Sequence, residues 1–136
     1  ADVLTETLEL LETDTAPRVP QDPALVSYIP KLDREHGRID WTLPAAALER
    51  RIRAYDPWPG TYTEAIENGS AKRLKFHPPT SVVETALAPG EVGIEGNRLI
   101  VGCGALSLEL FKVQPDGAKP MSAADYLRGR KPGRLQ

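Results

Sequence analysis

The chain has little from which to build reactive chemistry. Its 136 residues include one cysteine, two histidines and only 6% aromatic residues. Cys103, alone and between two glycines, cannot form an internal disulfide and has no companion ligands for a zinc site, so it reads as a small core residue in a strand and no metal is expected. A reduced, cytoplasmic setting is the corresponding default. No apolar run approaches the roughly 18 residues of a membrane helix, and no basic stretch followed by an apolar one opens the chain, so neither a span nor a signal peptide is expected. His36 lies among charged residues and His77 precedes Pro78 and Pro79; neither has a nucleophile or a paired carboxylate at useful spacing, so neither reads as catalytic. Glu64 and Glu67 read as solvated strand or turn positions. There is no internal repeat, low-complexity tract or glycine-rich phosphate loop. The thin aromatic supply also counts against a self-standing binder of single-stranded nucleic acid.

Proline and unevenly placed charge are what the chain does have. The formal net charge is −2, yet residues 1–16 hold five carboxylates and no base. Residues 112–136 hold Lys112, Lys119, Arg128, Arg130, Lys131 and Arg134 against Asp116 and Asp125. Residues 31–53 are also basic on balance, and Lys72, Arg73 and Lys75 cluster further on. A chain of this kind presents a local basic face to an acidic partner while its overall isoelectric point stays low.

Val3, Leu4, Leu8 and Leu11 recur at helical spacing, which predicts an amphipathic helix within residues 1–13 whose stripe needs something to pack on. Ala1 stands in place of Met directly inside that pattern, so a longer parent chain is expected. Pro17, Pro20, Pro23 and Pro30 then argue for an extended linker over residues 14–41. A helix is predicted over 43–55, capped by Thr42 and packed through Leu48, Ile52 and Tyr55, with Arg50, Arg51 and Arg53 off the stripe. Asp56-Pro57-Trp58-Pro59-Gly60 can continue neither helix nor central strand. It is a structural corner, expected to be pinned by a buried Trp58, with Trp41 a second core indole; the less favoured alternative for either indole is to stack a nucleic-acid base.

Beyond the corner the period becomes two. Runs at 61–67, 72–77, 81–87, 91–95, 98–103 and 106–112 alternate with the turn signals Asn68-Gly69, Pro78-Pro79, Pro89-Gly90, Gly96-Asn97 and Gly104, predicting a small antiparallel β-barrel over about 59–113. Ser122 and Asp125 form a capping box for a short helix from Ala123 to Arg128, closed by Gly129. The fold class is therefore mainly β with flanking helices, in a domain spanning 42–136.

The stretch YIPKLDREHGRIDWTLPAAALERRIRAYDPWPGTYTE, then APGEV, then LSLELFKVQPDGAKPMSAADYLRGR, resembles the C-terminal part of bacterial methionyl-tRNA formyltransferases. The likeness runs from the first helix to Gly133, with Tyr55 and Asp56 standing where Phe and Asn are commoner. It implies an OB-like barrel preceded, in the parent enzyme, by a Rossmann-like N-terminal domain. That domain carries the catalytic Asn, His and Asp and binds the formyl donor 10-formyltetrahydrofolate. Residues 1–13 would belong to it or pack on it. No catalytic residue and no cofactor site is then expected in this chain. The implied role is to bind and position initiator methionyl-tRNA through a basic surface of Lys31, Arg34, Arg38, Arg53, Lys119, Arg128 and Arg130, in a cytoplasmic monomer. A second reading makes it the barrel of a related nucleotide-sugar formyltransferase or formyltetrahydrofolate hydrolase, a structural bridge between domains or protomers. The Lys119-to-Asp125 stretch with its basic tail favours the first.

Overall fold

The computed structural model describes residues 2–67 and 69–136. They form two compact units, one up to Lys31 and one of Leu32–Gln136. In the first, helix α1 (Asp2–Glu12) follows the predicted periodicity, Ala1 lying outside the described residues, and none of its side chains is buried. The hydroxyls of Thr7 and Thr13 donate back to the carbonyls of Val3 and Glu9 at 2.7 and 2.9 Å, the local satisfaction open to helical threonines. The proline-rich segment after it holds a 3-10 turn, Pro23–Leu25, where the Asp22 carboxylate caps the N–H of Ala24 at 2.9 Å.

The second unit begins at Leu32, not at residue 42, because part of the expected linker is built into the barrel. Ile39 donates its backbone N–H to Tyr62 O at 2.9 Å, and Arg38 bridges Tyr62 in parallel register. Residues 38–41 therefore alternate like a strand, with Ile39 and Trp41 buried and Arg38 and Asp40 exposed. Helix α2 (Ala45–Ala54) follows and buries Ala45, Leu48 and Ile52, leaving Tyr55 half-buried at its end. Thr42 does not cap it: the cap position is Pro44, and the Thr42 hydroxyl donates instead to Asp40 at 2.6 Å, holding that carboxyl below its usual range. Arg51 is not simply on the solvent face either; it donates to the carbonyl of His36 at 2.8 Å and ties the connector to α2.

Seven strands complete the unit: β1 (Thr61–Glu67), β2 (Ser70–Val83), β3 (Val92–Glu95), β4 (Arg98–Gly102), β5 (Ser107–Pro115), β6 (Met121–Ser122) and β7 (Arg134–Leu135). Between β6 and β7 lies helix α3 (Ala123–Gly129), which Ser122 caps as predicted, Asp125 N–H donating to Ser122 Oγ at 3.0 Å, while the Asp125 carboxylate accepts the Ser122 hydroxyl at 2.7 Å. The antiparallel sheet runs β3-β4-β5-β2-β1-β7, with β6 on β5. Asn68, half of the expected β1–β2 turn, lies outside the described residues.

Two features depart from the predicted strand pattern. Pro78-Pro79 does not separate two strands; β2 continues through them, and its register on β5 shifts between His77 and Thr80. A bulge is where a strand tolerates residues without an N–H donor. The basic tail, moreover, is not merely a tail. Leu135 is buried in the core and donates to Gly90 O at 2.8 Å, while Arg134 bridges Glu91, so β7 carries the sheet from β1 round to β3. The result is a nearly closed antiparallel barrel around Leu74, Phe76, Leu99, Val101, Leu108, Leu110 and Val113, with Cys103 among them. Burial pushes the Cys103 thiol up to about 11, in keeping with an unreactive core position. Among the described residues no helix is long and apolar enough to cross a membrane.

Candidate nucleic-acid interface

Sheet alternation determines which cations meet. On β1 the residues Thr61, Thr63 and Ala65 face inward; their partners on β2 are Phe76, Leu74 and Lys72. Lys72 thus continues the inward row past the end of the core, where α3 and the residues after it cross. Tyr126 of α3 is buried, and its phenol donates to Glu67 Oε1 at 2.5 Å; burial and that carboxylate raise the phenol's pKa well above its usual value. The second oxygen of Glu67 accepts from Arg130 at 3.2 Å, and the guanidinium stands 6.0 Å from the Tyr126 ring. Glu67, expected to be solvated, has a side chain only 11% exposed and works as a bracket.

Around this bracket lies a cleft of about 530 Å³ lined by Glu67, Lys72, Leu127, Arg128, Arg130 and Lys131. Four cations face one carboxylate that is already engaged twice. Arg128 reaches the exposed Asp125 on the preceding turn. Lys72 and Lys131 are exposed and have no ion-pair partner among the described residues. The charge of such a concavity is what an anionic partner would meet.

The remaining candidates are spread out. Lys31 is exposed at the end of the first unit. Arg34 and Arg38 are exposed at the two ends of the 3-10 turn Glu35–Gly37. Arg53 is exposed on α2 and donates to Glu49 one turn back at 3.1 Å. Lys119 is exposed between β5 and β6. Of the seven, the cleft brings together Arg128 and Arg130. It adds Lys72 and Lys131, which belong to basic stretches of the sequence but to no motif; the alternation of β2, read to its end, was the signal available for Lys72.

At the corner, Trp41 and Trp58 part ways. Trp41 is 4% exposed; its indole N–H donates to Thr63 Oγ1 at 3.0 Å, and its ring meets Phe76 edge-on at 5.7 Å and 70°. Trp58 is 56% exposed, so the expected buried pin is Trp41 alone, the place against Phe76 being already filled. Pro57 is exposed, and Pro59 and Gly60 are half-buried. Gly60, at φ 75°, donates its N–H to Tyr55 O at 2.9 Å and so closes the turn that follows α2. A Cβ on Gly37 would overlap the carbonyl oxygen of Gly60; the connector and the corner touch there backbone to backbone.

Comparison with known proteins adds a family and a parent size. The family described as "Formyl transferase, C-terminal domain" matches residues 31–131. Methionyl-tRNA formyltransferase of Granulibacter bethesdensis is 46% identical over 112 residues, which cover 82% of this chain and 34% of that protein. That of Arthrobacter sp. is 40% identical over 131 residues, covering 96% of this chain and 41% of that protein. The chain thus spans well under half the length of these relatives. Among solved structures, HypX from Aquifex aeolicus in complex with tetrahydrofolic acid superposes with a TM-score of 0.59 at 21% identity, covering 93% of this chain and 22% of that one, a likeness of fold alone.

Proposed function

The chain belongs to the formyl transferase C-terminal domain family, and on that premise we propose that it is the tRNA-positioning module of a methionyl-tRNA formyltransferase. The groups that transfer the formyl unit, and the site for 10-formyltetrahydrofolate, lie in the rest of that enzyme. The barrel's task is to hold initiator methionyl-tRNA so that its esterified amino acid reaches them. The observation that carries this reading is the cleft between β2 and α3, where Lys72, Arg128, Arg130 and Lys131 converge. Phosphate contacts supply most of the affinity of such a surface and fix the register of the RNA without reading its sequence. A preformed cleft does this at low entropic cost, because Glu67 and Tyr126 already hold Arg130 in place.

The test is the affinity of the chain for initiator tRNA at several salt concentrations, with and without Lys72→Ala, Arg128→Ala and Lys131→Ala together. These three are exposed, so the melting temperature should stay nearly constant. The log–log salt slope should fall by roughly 0.7–0.9 for each phosphate no longer neutralised. Unchanged affinity and slope would return the cleft to ordinary solvated surface. Formyl donor and charged tRNA mixed with this chain alone should give no turnover; formylation above background would overturn the assignment of the chemistry to the rest of the enzyme.

A further inference from the structure

On the outer face of the barrel, Tyr62, Lys75 and Gln114 stand side by side across β1, β2 and β5. His77 and Lys112 form the next row across β2 and β5. Against these rows the corner Asp56–Gly60 makes a wall, and between them lies a cleft of about 320 Å³. It is remote in construction from the α3 cleft: the two share no lining residue.

The cleft carries a positioned polar edge. His77 bridges the corner and the sheet, its Nε2 lying 3.2 Å from Gln114 Oε1 and its Nδ1 3.5 Å from Asp56 Oδ1. Gln114 is held in turn by its amide nitrogen, which donates to Ala118 O at 2.9 Å. Pro57 and Pro59 supply flat apolar surface to the cleft, while the exposed Trp58 between them in sequence does not line it. The cations are at the rim: Lys75 lines the cleft, and Arg73, one step along the same face, lies 4.2 Å above the Tyr62 ring.

We propose that this cleft takes one unpaired nucleotide, its base against the corner and the His77–Gln114 edge and its phosphate toward Lys75 and Arg73. The volume is at the small end of the roughly 300–1,000 Å³ of small-molecule sites, suited to one base and its sugar. A flat surface to lay a base on, here the prolines of the corner, with amide and imidazole groups at its edge and a cation alongside, offers a splayed-out base an edge to pair with and its phosphate a charge. A peptide added as an extra strand is excluded here, since β2 is paired on both sides and its backbone groups are engaged. The source of the nucleotide is either an unpaired position of the RNA, which rests on the tRNA-positioning role proposed above, or a free mononucleotide, which does not.

The experiment titrates the chain with each nucleoside 5′-monophosphate, with a short single-stranded oligoribonucleotide, and with the same oligomer carrying abasic residues. The signals followed are the Gly60 backbone amide, the Gln114 side-chain amide and the His77 ring, all lining the cleft; the buried Trp41 indole is the internal reference. Saturable shifts of the first three and not of Trp41 are expected. His77→Ala with Gln114→Ala should weaken binding about tenfold, the loss of one or two net hydrogen bonds. Lys75→Ala, which touches no core, should weaken it as well. Shifts from monophosphates and oligomer alike indicate a free-nucleotide site; shifts from the oligomer alone indicate a base of the RNA. Equal shifts from the abasic oligomer, or none from any probe, would overturn the proposal. The two readings fail separately. A double variant at His77 and Gln114 that binds every probe like the parent, beside a triple variant at Lys72, Arg128 and Lys131 that loses tRNA, removes the base site and keeps the α3 cleft. The reverse pattern removes the α3 cleft and keeps the base site.

Discussion

Trp41 and Trp58 flank helix α2 on either side, and the barrel treats them oppositely. Trp41 ends a connector paired beside β1, so strand alternation drives it inward, where Thr63 accepts from its N–H and donates its own hydroxyl proton to Gln136 O at 2.6 Å. One indole thus joins the connector, β1 and the C-terminus in a satisfied chain. Trp58 belongs to a corner between two prolines and stays 56% exposed. Residue type and flanking stiffness do not decide burial; the pairing of the backbone does. The same difference divides the molecule into a stitched interior and a presented corner, one expected to govern stability and the other recognition.

The largest effect should come from the interior. Trp41→Ala should cost about 3–5 kcal/mol, the range for deleting a large buried aromatic, measured by denaturant unfolding; a loss below about 1 kcal/mol would mean that the connector is not integral to the barrel. Gly37→Ala attacks the point where connector and corner touch. Its Cβ meets backbone, which cannot swing aside, so about 1–3 kcal/mol is expected, together with altered chemical shifts at residues 57–60. An intact corner in a destabilised Gly37→Ala protein would break the link between the two regions.

A smaller effect separates the ionic part of the interior by pH. Glu109, 8% exposed, receives two hydrogen bonds from Arg98 at 3.0 and 2.8 Å, which hold its carboxyl below the usual range. A carboxyl whose folded-state pKa is depressed stabilises the fold above its unfolded-state pKa, and that stabilisation fades as pH falls through the folded-state value. The Arg98→Met protein should therefore melt below the parent at neutral pH, and the gap should narrow on acidification below the ordinary carboxylate range. A gap independent of pH would assign the loss to packing of the arginine stem. Smallest of all, Trp58→Ala should change stability by less than about 0.5 kcal/mol, as an exposed substitution does. A large loss would return Trp58 to the interior and erase the contrast.

Much of this was legible from residues in a row. The period-two runs with their Gly and Pro turns led to the barrel, Ser122 with Asp125 to α3, and Leu48 with Ile52 to the packed face of α2. Other features were present in the sequence but outweighed by a stronger local signal. The alternation Arg38-Ile39-Asp40-Trp41 is a strand pattern, yet prolines upstream made it read as linker. Pro78-Pro79 reads as a break until a neighbouring strand accepts the bulge. Of the candidate site, Arg128 and Arg130 were visible as basic residues after a capped helix, whereas Glu67 looked solvated because its partners, Tyr126 and Arg130, lie some sixty residues later.

By itself, then, the sequence determined the local conformations: helix faces, strand alternation, caps and turns, each governed by neighbours within a few residues. Its quoted motifs also carried the family. Tertiary structure alone decided which distant segments pair. It used residues 134–136 to carry the sheet towards closure, seated Trp41 rather than Trp58 against Phe76, turned Glu67 into a bracket, and brought Lys72 beside Arg128, Arg130 and Lys131. Those outcomes depend on which distant segments fit the same edge or core position, and such competition leaves no mark in a short window of sequence.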